Sequence, residues 1–489
     1  SVYAALRGNF SLDYFFMQTL STDEAILPAR GGNWYDNQNY SMLHYHSWTK
    51  DHPWTNSCWN WLAQIIGVDN QALSILGTNE QAGAAKETNL AELKMVRAFA
   101  YFMMMDLYGR VPIDTVYGDF NPHANVDRIT VFNFIEKEIK SCLPYLSATT
   151  GILTYGRPTK YAAYALLAKM YLNAEYYTGT ARYDDCITAC DNIISSGSFA
   201  IEPANSYLQM FYPDNGPQMK EFIFVIPYDP AAAALSGTNG YMYHGRYDVP
   251  RSEQAKFSLA FKPSGPESTL PEFYAYFNDP NDVRNKQWLT GLQYMSDGVT
   301  PVTVKTTLKG YNQFYSGSDG GNSYTYQVNL TPDIILRQDP NAFDCGNDEI
   351  AWNMGYRNIK FYPDKSSTSR NQNNDVPVFR YSDIILMKAE AILRGGVPTN
   401  GETALSLVNK LRAQRSTSAA WNNVTLDSIY NERSREFTWE TWHRNDMIRF
   451  GKYEGSWGFK TNTEIYRRIF PIPTSALSVN PKLTQNPGY

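Results

Sequence analysis

This chain of 489 residues has no long hydrophobic run and little cysteine. No stretch of about 18 uninterrupted apolar residues occurs, which excludes a transmembrane helix from the sequence. Its five cysteines, at 58, 142, 186, 190 and 345, form no CxxC pair and are odd in number. Cys186 and Cys190 stand one helical turn apart, so we expect them to line a buried helix face, although the sequence alone leaves a disulfide open.

Blocks of positive charge are also missing. Lys and Arg number 43 against 48 Asp and Glu, a formal net charge of -5, and no basic cluster stands out along the chain. This makes nucleic acid an unlikely partner and weakly disfavours highly anionic polymers as ligands. No G-x-S-x-G elbow, Walker loop or dinucleotide fingerprint is present, so the common motifs of nucleotide-dependent and serine-hydrolase enzymes are excluded.

Candidate metal ligands are few, since the chain has six histidines. His44 and His46 would lie on the same side of an extended segment, with His52 nearby, but no carboxylate or thiol stands at a convincing zinc-ligand spacing. The acidic loops 279–282 and 316–322 do not match an EF-hand. We therefore predict no cofactor and no metal site, and leave a structural calcium open.

Aromatic residues, in contrast, are abundant. They make up 15% of the sequence, with 36 Tyr and 11 Trp. Flat rings stack on the apolar faces of sugars, so this composition suits carbohydrate binding. A large aromatic core is the alternative explanation, and it must account for most of the rings.

Apolar residues at helical spacing recur along the chain, and the segment 382–393 shows them without an internal Pro or Gly. They predict helices over 59–76, 90–107, 131–145, 160–177, 183–195, 382–393 and 402–412. These helices form three pairs, 90–107 with 131–145, 160–177 with 183–195 and 382–393 with 402–412, and we expect the helix over 59–76 to stack on the first pair. The middle pair resembles a tetratricopeptide unit. Between about 200 and 378 periodicity fades, and short strand-like runs occur at 222–226 and 302–304. We predict an all-α dominated fold, a tetratricopeptide-like helix-pair scaffold with a large loop-rich insertion containing short strands.

The C-terminal region carries the most specific pattern. Its segments, in order, are Phe379-Arg380-Tyr381, Glu432-Arg433-Ser434-Arg435-Glu436-Phe437, His443-Arg444-Asn445-Asp446-Met447-Ile448-Arg449, Phe470-Pro471-Ile472-Pro473 and Gln485-Asn486-Pro487-Gly488-Tyr489. Arginines interleaved with acids and aromatic rings predict buried guanidinium–carboxylate pairs. Carboxylate pairs such as Glu436 with Asp446, or Glu432 with Glu440, also suit glycoside hydrolysis. An adjacent guanidinium lowers the pKa of a carboxyl and works against a general acid, so we favour structural ion pairing.

In this order, the segments resemble the C-terminal signature of the SusD/RagB family, the cell-surface glycan-binding lipoproteins of Bacteroidetes-type bacteria. Segments 92–112 and 155–168 are similar to the family's long helices nearer the N-terminus. The resemblance implies a protein that is not an enzyme and that captures an oligosaccharide or polysaccharide for a SusC-like TonB-dependent outer-membrane transporter. It also implies attachment to the outer membrane through an N-terminal lipid. The chain begins at Ser1 without Met or an apolar leader, which fits a trimmed form of an exported protein.

Binding groups tend to lie on loops that a rigid scaffold holds in place. We therefore distinguish a helical scaffold from the loop-rich regions that it positions. We predict a single SusD-like unit over 1–489. In it, residues at about 59–199 and 379–489 form the helical scaffold, and loop-rich regions at about 27–58 and 200–378 carry the ligand face.

Candidate ligand-binding residues come from both loop-rich regions. A sugar site needs rings for stacking and carboxylates that accept hydroxyl hydrogen bonds. The first region offers Trp34, Tyr35, Asp36 and Trp54, with Asp23 just before it, and the insertion offers Trp288, Tyr294, Tyr315 and Tyr324. In the family, ligand contacts come from variable loops, so no motif transfers a site residue. For each ring the alternative is that it packs its loop onto the helices.

Two other functions remain open at this point. One is an all-α glycoside hydrolase, which sugar release from a polysaccharide would favour. The other is a peptide-binding member of the same scaffold, because tetratricopeptide-like grooves hold extended peptides.

Overall fold

The computed structural model describes residues 2–228, 242–306, 316–319, 323–337 and 342–489. The α-helices in that part of the chain are α1 (Val2–Leu6), α2 (Asp13–Thr19), α3 (Asn39–Tyr45), α4 (Pro53–Thr78), α5 (Lys86–Tyr108), α6 (Arg128–Cys142), α7 (Lys160–Leu172), α8 (Ala174–Thr178), α9 (Tyr183–Ile194), α10 (His244–Tyr247), α11 (Pro271–Tyr274), α12 (Glu349–Trp352), α13 (Tyr381–Leu393), α14 (Ala404–Arg412), α15 (Leu426–Glu436), α16 (His443–Arg449) and α17 (Thr474–Val479). Each of the seven predicted helical segments is helical.

Two of the departures from the predicted segments are an earlier helix start and an interruption. Helix α4 begins at Pro53, six residues before the expected start, because His52 caps it by accepting the Trp54 N–H at 3.3 Å and proline suits the first helical position. Trp54 therefore lies on a helix and not in a loop. The expected helix over 160–177 is interrupted at Asn173, whose side chain donates to the carbonyl of Lys169 at 2.8 Å, and continues as the short α8.

The helices stack in sequence. Helix α4 packs on α5 and α5 on α6, α7 packs on α9, and α9 packs on α13, which also contacts α14 and α15. These contacts confirm the three predicted helix pairs and the placement of the preceding helix against the first pair. The five cysteines are buried free thiols, with Cys186 and Cys190 both on α9, as the core interpretation predicted.

The strands are short and antiparallel. They are β1 (Phe222–Ile226), β2 (Trp288–Leu289), β3 (Gly291–Leu292), β4 (Thr303–Thr306), β5 (Ser316–Asp319), β6 (Ser323–Gln327), β7 (Asn329–Leu330), β8 (Arg357–Asn358) and β9 (Val376–Arg380). Strand β1 pairs with β9, β2 with β8 and β3 with β7, while β4, β6 and β5 form a three-stranded sheet in that order. The β1–β9 pairing joins the two ends of the insertion and leads directly into α13.

A buried network of ion pairs connects that strand pair to α15. Glu436 Oε1 lies 2.9 Å from both Arg380 Nη1 and Arg415 Nη2, and its Oε2 lies 3.0 Å from Arg284 Nη1. Burial acts to raise the pKa of Glu436, but the guanidiniums of Arg415 and Arg380 hold it well below its ordinary value. Burial also acts to raise the pKa of Glu432, but the guanidiniums of Arg284 and Arg435 lower it to about 2. The predicted structural ion pairs are confirmed, and neither carboxyl is poised as a general acid.

No helix in the described ranges combines the length and the apolar character that crossing a bilayer requires.

Candidate binding cleft

An open cleft of about 580 Å³ lies where the first loop-rich region meets the insertion. Four aromatic rings line it: Trp34 from the loop before α3, Tyr40 from α3, Tyr247 from α10 and Trp352 from α12. The ring centroids of Trp34 and Tyr247 are 5.3 Å apart at an interplanar angle of 67°. Three separate stretches of the chain therefore bring their rings to one opening.

Trp54 lies behind the aromatic residues that line the cleft. Its ring lies 4.9 Å from that of Tyr40 and 5.1 Å from that of Phe16, both centroid to centroid, and it is not among the residues that line the cleft. Trp54 supports Tyr40 from the first turn of α4. The structure gives Trp54, a predicted ligand contact, a position behind Tyr40.

The loop that carries Trp34 and Asp36 has an unusual backbone. Trp34, Asp36, Asn37 and Gln38 have φ angles of +68°, +42°, +52° and +66°. L-residues with side chains seldom adopt this left-handed region, and such strain persists only where the surrounding structure imposes it. The loop is therefore held in a defined shape at the mouth of the cleft.

Buried charges fix the base of this loop. The backbone N–H groups of Gly31 and Gly32 donate to the two oxygens of Asp344 at 2.8 and 2.7 Å. Arg30, fully buried, donates from Nη1 to the carbonyl of Ala351 at 2.5 Å and from Nη2 to that of Pro266 at 3.0 Å. Because Ala351 belongs to α12, Arg30 ties the Trp34 loop to the helix that presents Trp352.

The polar lining of the cleft is mostly cationic. Arg246, Arg251, Lys262 and Arg370 reach it, and Asp36 is the carboxylate among its described lining residues. Arg246 lies over Trp34 and Tyr247 with its guanidinium carbon 5.4 Å from each ring centroid. Two facing carboxylates, the arrangement that glycoside hydrolysis needs, are not found among those lining residues. The cleft thus offers rings and hydrogen-bond donors, which suit binding.

Of the first group of predicted residues, the cleft brings Trp34 and Asp36 together. Tyr35 is exposed on the same loop but does not line the cleft. Asp23 does not line the cleft: its side chain is buried, and its Oδ1 lies 2.6 Å from Nε2 of His443. Burial works to lower the pKa of His443, but Asp23 raises it, so the acid acts as the partner of a core histidine.

The insertion residues lie elsewhere. Trp288 on β2 is buried, with its ring centroid 5.2 Å from that of Phe277 and 5.9 Å from that of Trp439, and it does not line the cleft. Tyr294 and Tyr324 are half-buried, in the bridge to Pro301 and on β6, and neither lines the cleft. Tyr315 lies outside the described residues.

The sequence did not single out Arg246, Tyr247 and Trp352. Each was one of many similar residues in the insertion, with no local motif to distinguish it. The histidines considered for zinc serve the fold: His46 Nε2 is 2.7 Å from the carbonyl of Ser21, and burial lowers the pKa of His44 to about 3. In the described ranges no group of three or more His, Cys, Asp or Glu side chains converges as a metal site.

A second groove, of about 630 Å³, lies on the helical scaffold between α4, α5, the 112–123 connection and α17. It shares no lining residue with the cleft. Apolar side chains protrude at its edge, with Phe120 93% and Val479 83% exposed. Exposed apolar groups of this kind mark contact surfaces for other molecules.

Comparison with known proteins agrees with the resemblance seen in the sequence. Residues 165–489 match the model of the SusD family, and residues 11–172 match a model described as "Starch-binding associating with outer membrane". The starch-binding protein SusD of Bacteroides thetaiotaomicron is 25% identical, over 99% of this chain and 86% of its own length. SusD-like protein P25 of Formosa agariphila is 23% identical, over 88% of this chain and 79% of its own.

Solved structures show the same fold. Surface glycan-binding protein A from Bacteroides thetaiotaomicron, in complex with laminarihexaose, matches with a TM-score of 0.75 at 18% identity, covering 99% of this chain and 97% of its own. A laminarin binding SusD-like protein matches with a TM-score of 0.74 at 19% identity, and the match covers 100% of this chain and 97% of that protein's chain. The helix-rich architecture predicted from the sequence is therefore confirmed, and, because the family model matches more than half of its length, the chain belongs to the SusD family.

Proposed function

We propose that this protein binds an oligosaccharide or polysaccharide in the cleft and does not cleave it. The observation that carries the proposal is the meeting of Trp34, Tyr247 and Trp352 at one open, polar-lined cleft. Rings supply stacking surfaces for sugars, and the guanidinium and carboxylate groups beside them exchange hydrogen bonds with hydroxyls. Relatives whose names state a ligand include the starch-binding protein SusD, a laminarin binding SusD-like protein and surface glycan-binding protein A in complex with laminarihexaose.

The cleft is wide and open, so a short glycan buries little area in it. We expect a Kd between about millimolar and about micromolar for one short chain, roughly -4 to -8 kcal/mol. Such an affinity suits capture and release better than storage.

The test compares rings inside and outside the cleft. Affinity electrophoresis through gels that contain a polysaccharide panel identifies a ligand, and titration calorimetry with its oligosaccharides then measures Kd. Trp34→Ala and Tyr247→Ala should each weaken binding by about 1–3 kcal/mol, roughly 5- to 150-fold, because a partly exposed stacking surface is lost. Tyr145→Ala, at an exposed ring outside the cleft lining, is the matched control and should leave Kd unchanged. Unchanged isotherms for both cleft variants would remove the cleft from consideration.

The same gels separate binding from hydrolysis. We expect retardation without release of reducing sugar, because Glu432 and Glu436 of the C-terminal segments are held by arginines and the described lining of the cleft has a single carboxylate. Sugar release would favour the hydrolase alternative, and retention of peptides without glycans would favour the peptide-binding alternative.

We further propose that the helical scaffold docks on a SusC-like TonB-dependent transporter. The exposed Phe120, Tyr117 and Val479 beside the second groove support this assignment, since docking would cover them. Phe120→Asp with Val479→Asp should abolish co-purification of a transporter from native membranes while leaving glycan binding intact. Val299→Asp, at an exposed position that does not line this groove, is the control. Co-purification that survives the double variant would exclude this surface.

A cell-surface location on the outer membrane, through an N-terminal lipid, is the third part of the proposal. The match of residues 11–172 to a model whose description names the outer membrane supports it. Protease treatment of intact cells that express the native protein is the test: digestion is expected, and protection until the outer membrane is opened would contradict the surface location.

A further inference from the structure

We propose that the cleft selects glycans that carry negative charge, with a uronate carboxylate or a sulfate ester received at Arg246. This inference rests on the proposed function, because it names the class of glycan that the same cleft takes. It reverses an expectation from the sequence, in which no basic cluster was visible.

Folding creates the cluster. Arg246 lies on α10, Arg251 just after it, Lys262 in the next connection and Arg370 more than a hundred residues later, yet all four line one cleft. The whole chain has a formal net charge of -5. A cationic cleft on a protein of net negative charge focuses the field on its own opening and attracts anions there.

The positive charge of Arg246 is not neutralised by any carboxylate in the described part of the protein. Its Nε is buried without a hydrogen-bond partner, and no carboxylate lies within ion-pair distance of its guanidinium in the described ranges. Its neighbours are instead the rings of Trp34, Tyr243 and Tyr247, with centroids 5.4, 5.7 and 5.4 Å from the guanidinium carbon. A buried polar group that lacks its partner costs free energy, which a ligand acceptor would recover.

Arg251 shows what a neutralised cation in the same cleft looks like. Its Nη2 lies 3.1 Å from Glu349 Oε1, and its guanidinium carbon lies 4.0 Å from the ring centroid of Trp352. This arginine is committed to holding α12 in place. Arg251, which is paired with Glu349, is therefore a structural residue of the cleft, and Arg246, which has no such partner, is the one available to a ligand.

The rim adds charge of the same sign. Lys262 and Arg370 are exposed and form no ion pair among the described residues, while Asp36 is the carboxylate of the described lining. A planar guanidinium presents paired donors that match a carboxylate or a sulfate ester, and aromatic faces beside it receive the sugar ring. An anionic sugar satisfies both features, whereas a neutral sugar leaves the Arg246 charge without a partner.

The experiment uses polymers that differ in charge alone. Polygalacturonate is compared with its carboxyl-reduced form, and a sulfated galactan with its desulfated form, by affinity electrophoresis and calorimetry at low and high NaCl. We expect at least one charged form to bind at least about tenfold more tightly than its neutral counterpart, and added salt to reduce that difference. Which pair shows the difference tells carboxylate from sulfate.

Variants place the effect in the cleft. A triple variant, Arg246→Gln with Lys262→Gln and Arg370→Gln, should lose the preference for the charged form. The matched control removes three exposed lysines that do not line the cleft, Lys50→Gln with Lys137→Gln and Lys482→Gln, and should keep the preference. Lys262→Gln with Arg370→Gln, both at exposed positions, repeats the test without touching a buried group.

The outcomes separate this inference from the function beneath it. Equal binding of charged and neutral forms, with Trp34→Ala weakening both, would overturn charge selection and leave glycan binding standing. Loss of the preference in the control variant as well would also overturn it, because the charge effect would then belong to the whole surface. Failure of every charged and neutral glycan to bind would overturn both proposals.

Discussion

The C-terminal core and the cleft use the same residue types, arginine and aromatic rings, in opposite ways. In the core, Arg433 Nε lies 3.0 Å from Asp446 and its Nη1 lies 2.8 Å from Asp383, so the charge is fully matched by carboxylates. In the cleft, Arg246 has rings on several sides and no carboxylate within ion-pair distance among the described residues. Matched charge in a closed interior holds the fold together, and unmatched charge beside an opening is free to bind a ligand.

The largest expected effect comes from removing a carboxylate from the buried ion pairs of the core. Glu436→Gln would leave three buried guanidiniums, those of Arg284, Arg380 and Arg415, without the carboxylate that they share. Removing one partner of a buried pair costs about 3–5 kcal/mol, and the three affected partners place this variant at the upper end. Chemical denaturation measures it as a lower midpoint. A midpoint within error of the unmodified protein would show that the network carries no net stabilisation.

The second prediction compares the loss of a tryptophan ring from the core with the loss of one from the cleft. Trp288→Ala removes a buried ring and should lower the free energy of unfolding by about 3 kcal/mol, with glycan Kd unchanged. We expect the lower end of the range for such truncations because the Trp288 Nε1–H is buried without a partner and its removal relieves that cost. Trp34→Ala should show the reverse pattern, weaker binding with little loss of stability. If Trp288→Ala weakened binding as much as Trp34→Ala does, the division between core ring and cleft ring would be wrong.

Glu24 is a buried acid of the core that forms no ion pair with an arginine among the described residues. Burial raises its pKa from 4.5 to about 7, although His443 opposes the shift. The folded protein therefore takes up a proton that the unfolded chain does not hold, so this contribution to stability is complete below about pH 4.5 and is lost as pH rises through about 7.

Glu24→Gln should abolish that pH dependence, which amounts to about 2–3 kcal/mol between about pH 5 and about pH 8. Denaturation midpoints of the two proteins at both pH values measure the difference. The same slope in both proteins would mean that another group titrates in this window.

The smallest effect belongs to an exposed pair. Asp427 Oδ1 lies 3.5 Å from Lys452 Nζ, and the Asp427 side chain is 84% exposed. Solvent screens such a pair, so Asp427→Asn should change the free energy of unfolding by about 0.5 kcal/mol or less. A loss comparable to that of Glu436→Gln would contradict the view that burial gives the core pairs their weight.

Much of the scaffold was predictable because its signals are local. The apolar spacing that predicts 382–393 appears as α13 over Tyr381–Leu393, and the run at 222–226 is strand β1. The second C-terminal helix begins at Ala404, two residues later than predicted, because Thr403 and Ser406 cap each other across its first turn. Such boundaries depend on single hydrogen bonds, which periodicity does not report.

The site was harder to predict, since ring chemistry does not reveal exposure. Trp34 and Asp36 are close in sequence and do line the cleft, while Asp23 and Trp288 have the same chemistry and are buried. Tyr247 and Trp352 were missed because their role depends on a partner more than two hundred residues away. Long-range packing, and not residue type, separates these two groups.

The sequence by itself determined the helix-pair scaffold and the ion-paired C-terminal signature, because periodicity and alternating charge act over one or two helical turns. Only the tertiary structure decided that Arg246 stands unpaired beside Trp34 and that Arg251, five residues later, is neutralised by Glu349. The physical reason is that a charge acquires its function from what surrounds it in space, and those surroundings are assembled from segments far apart in the chain.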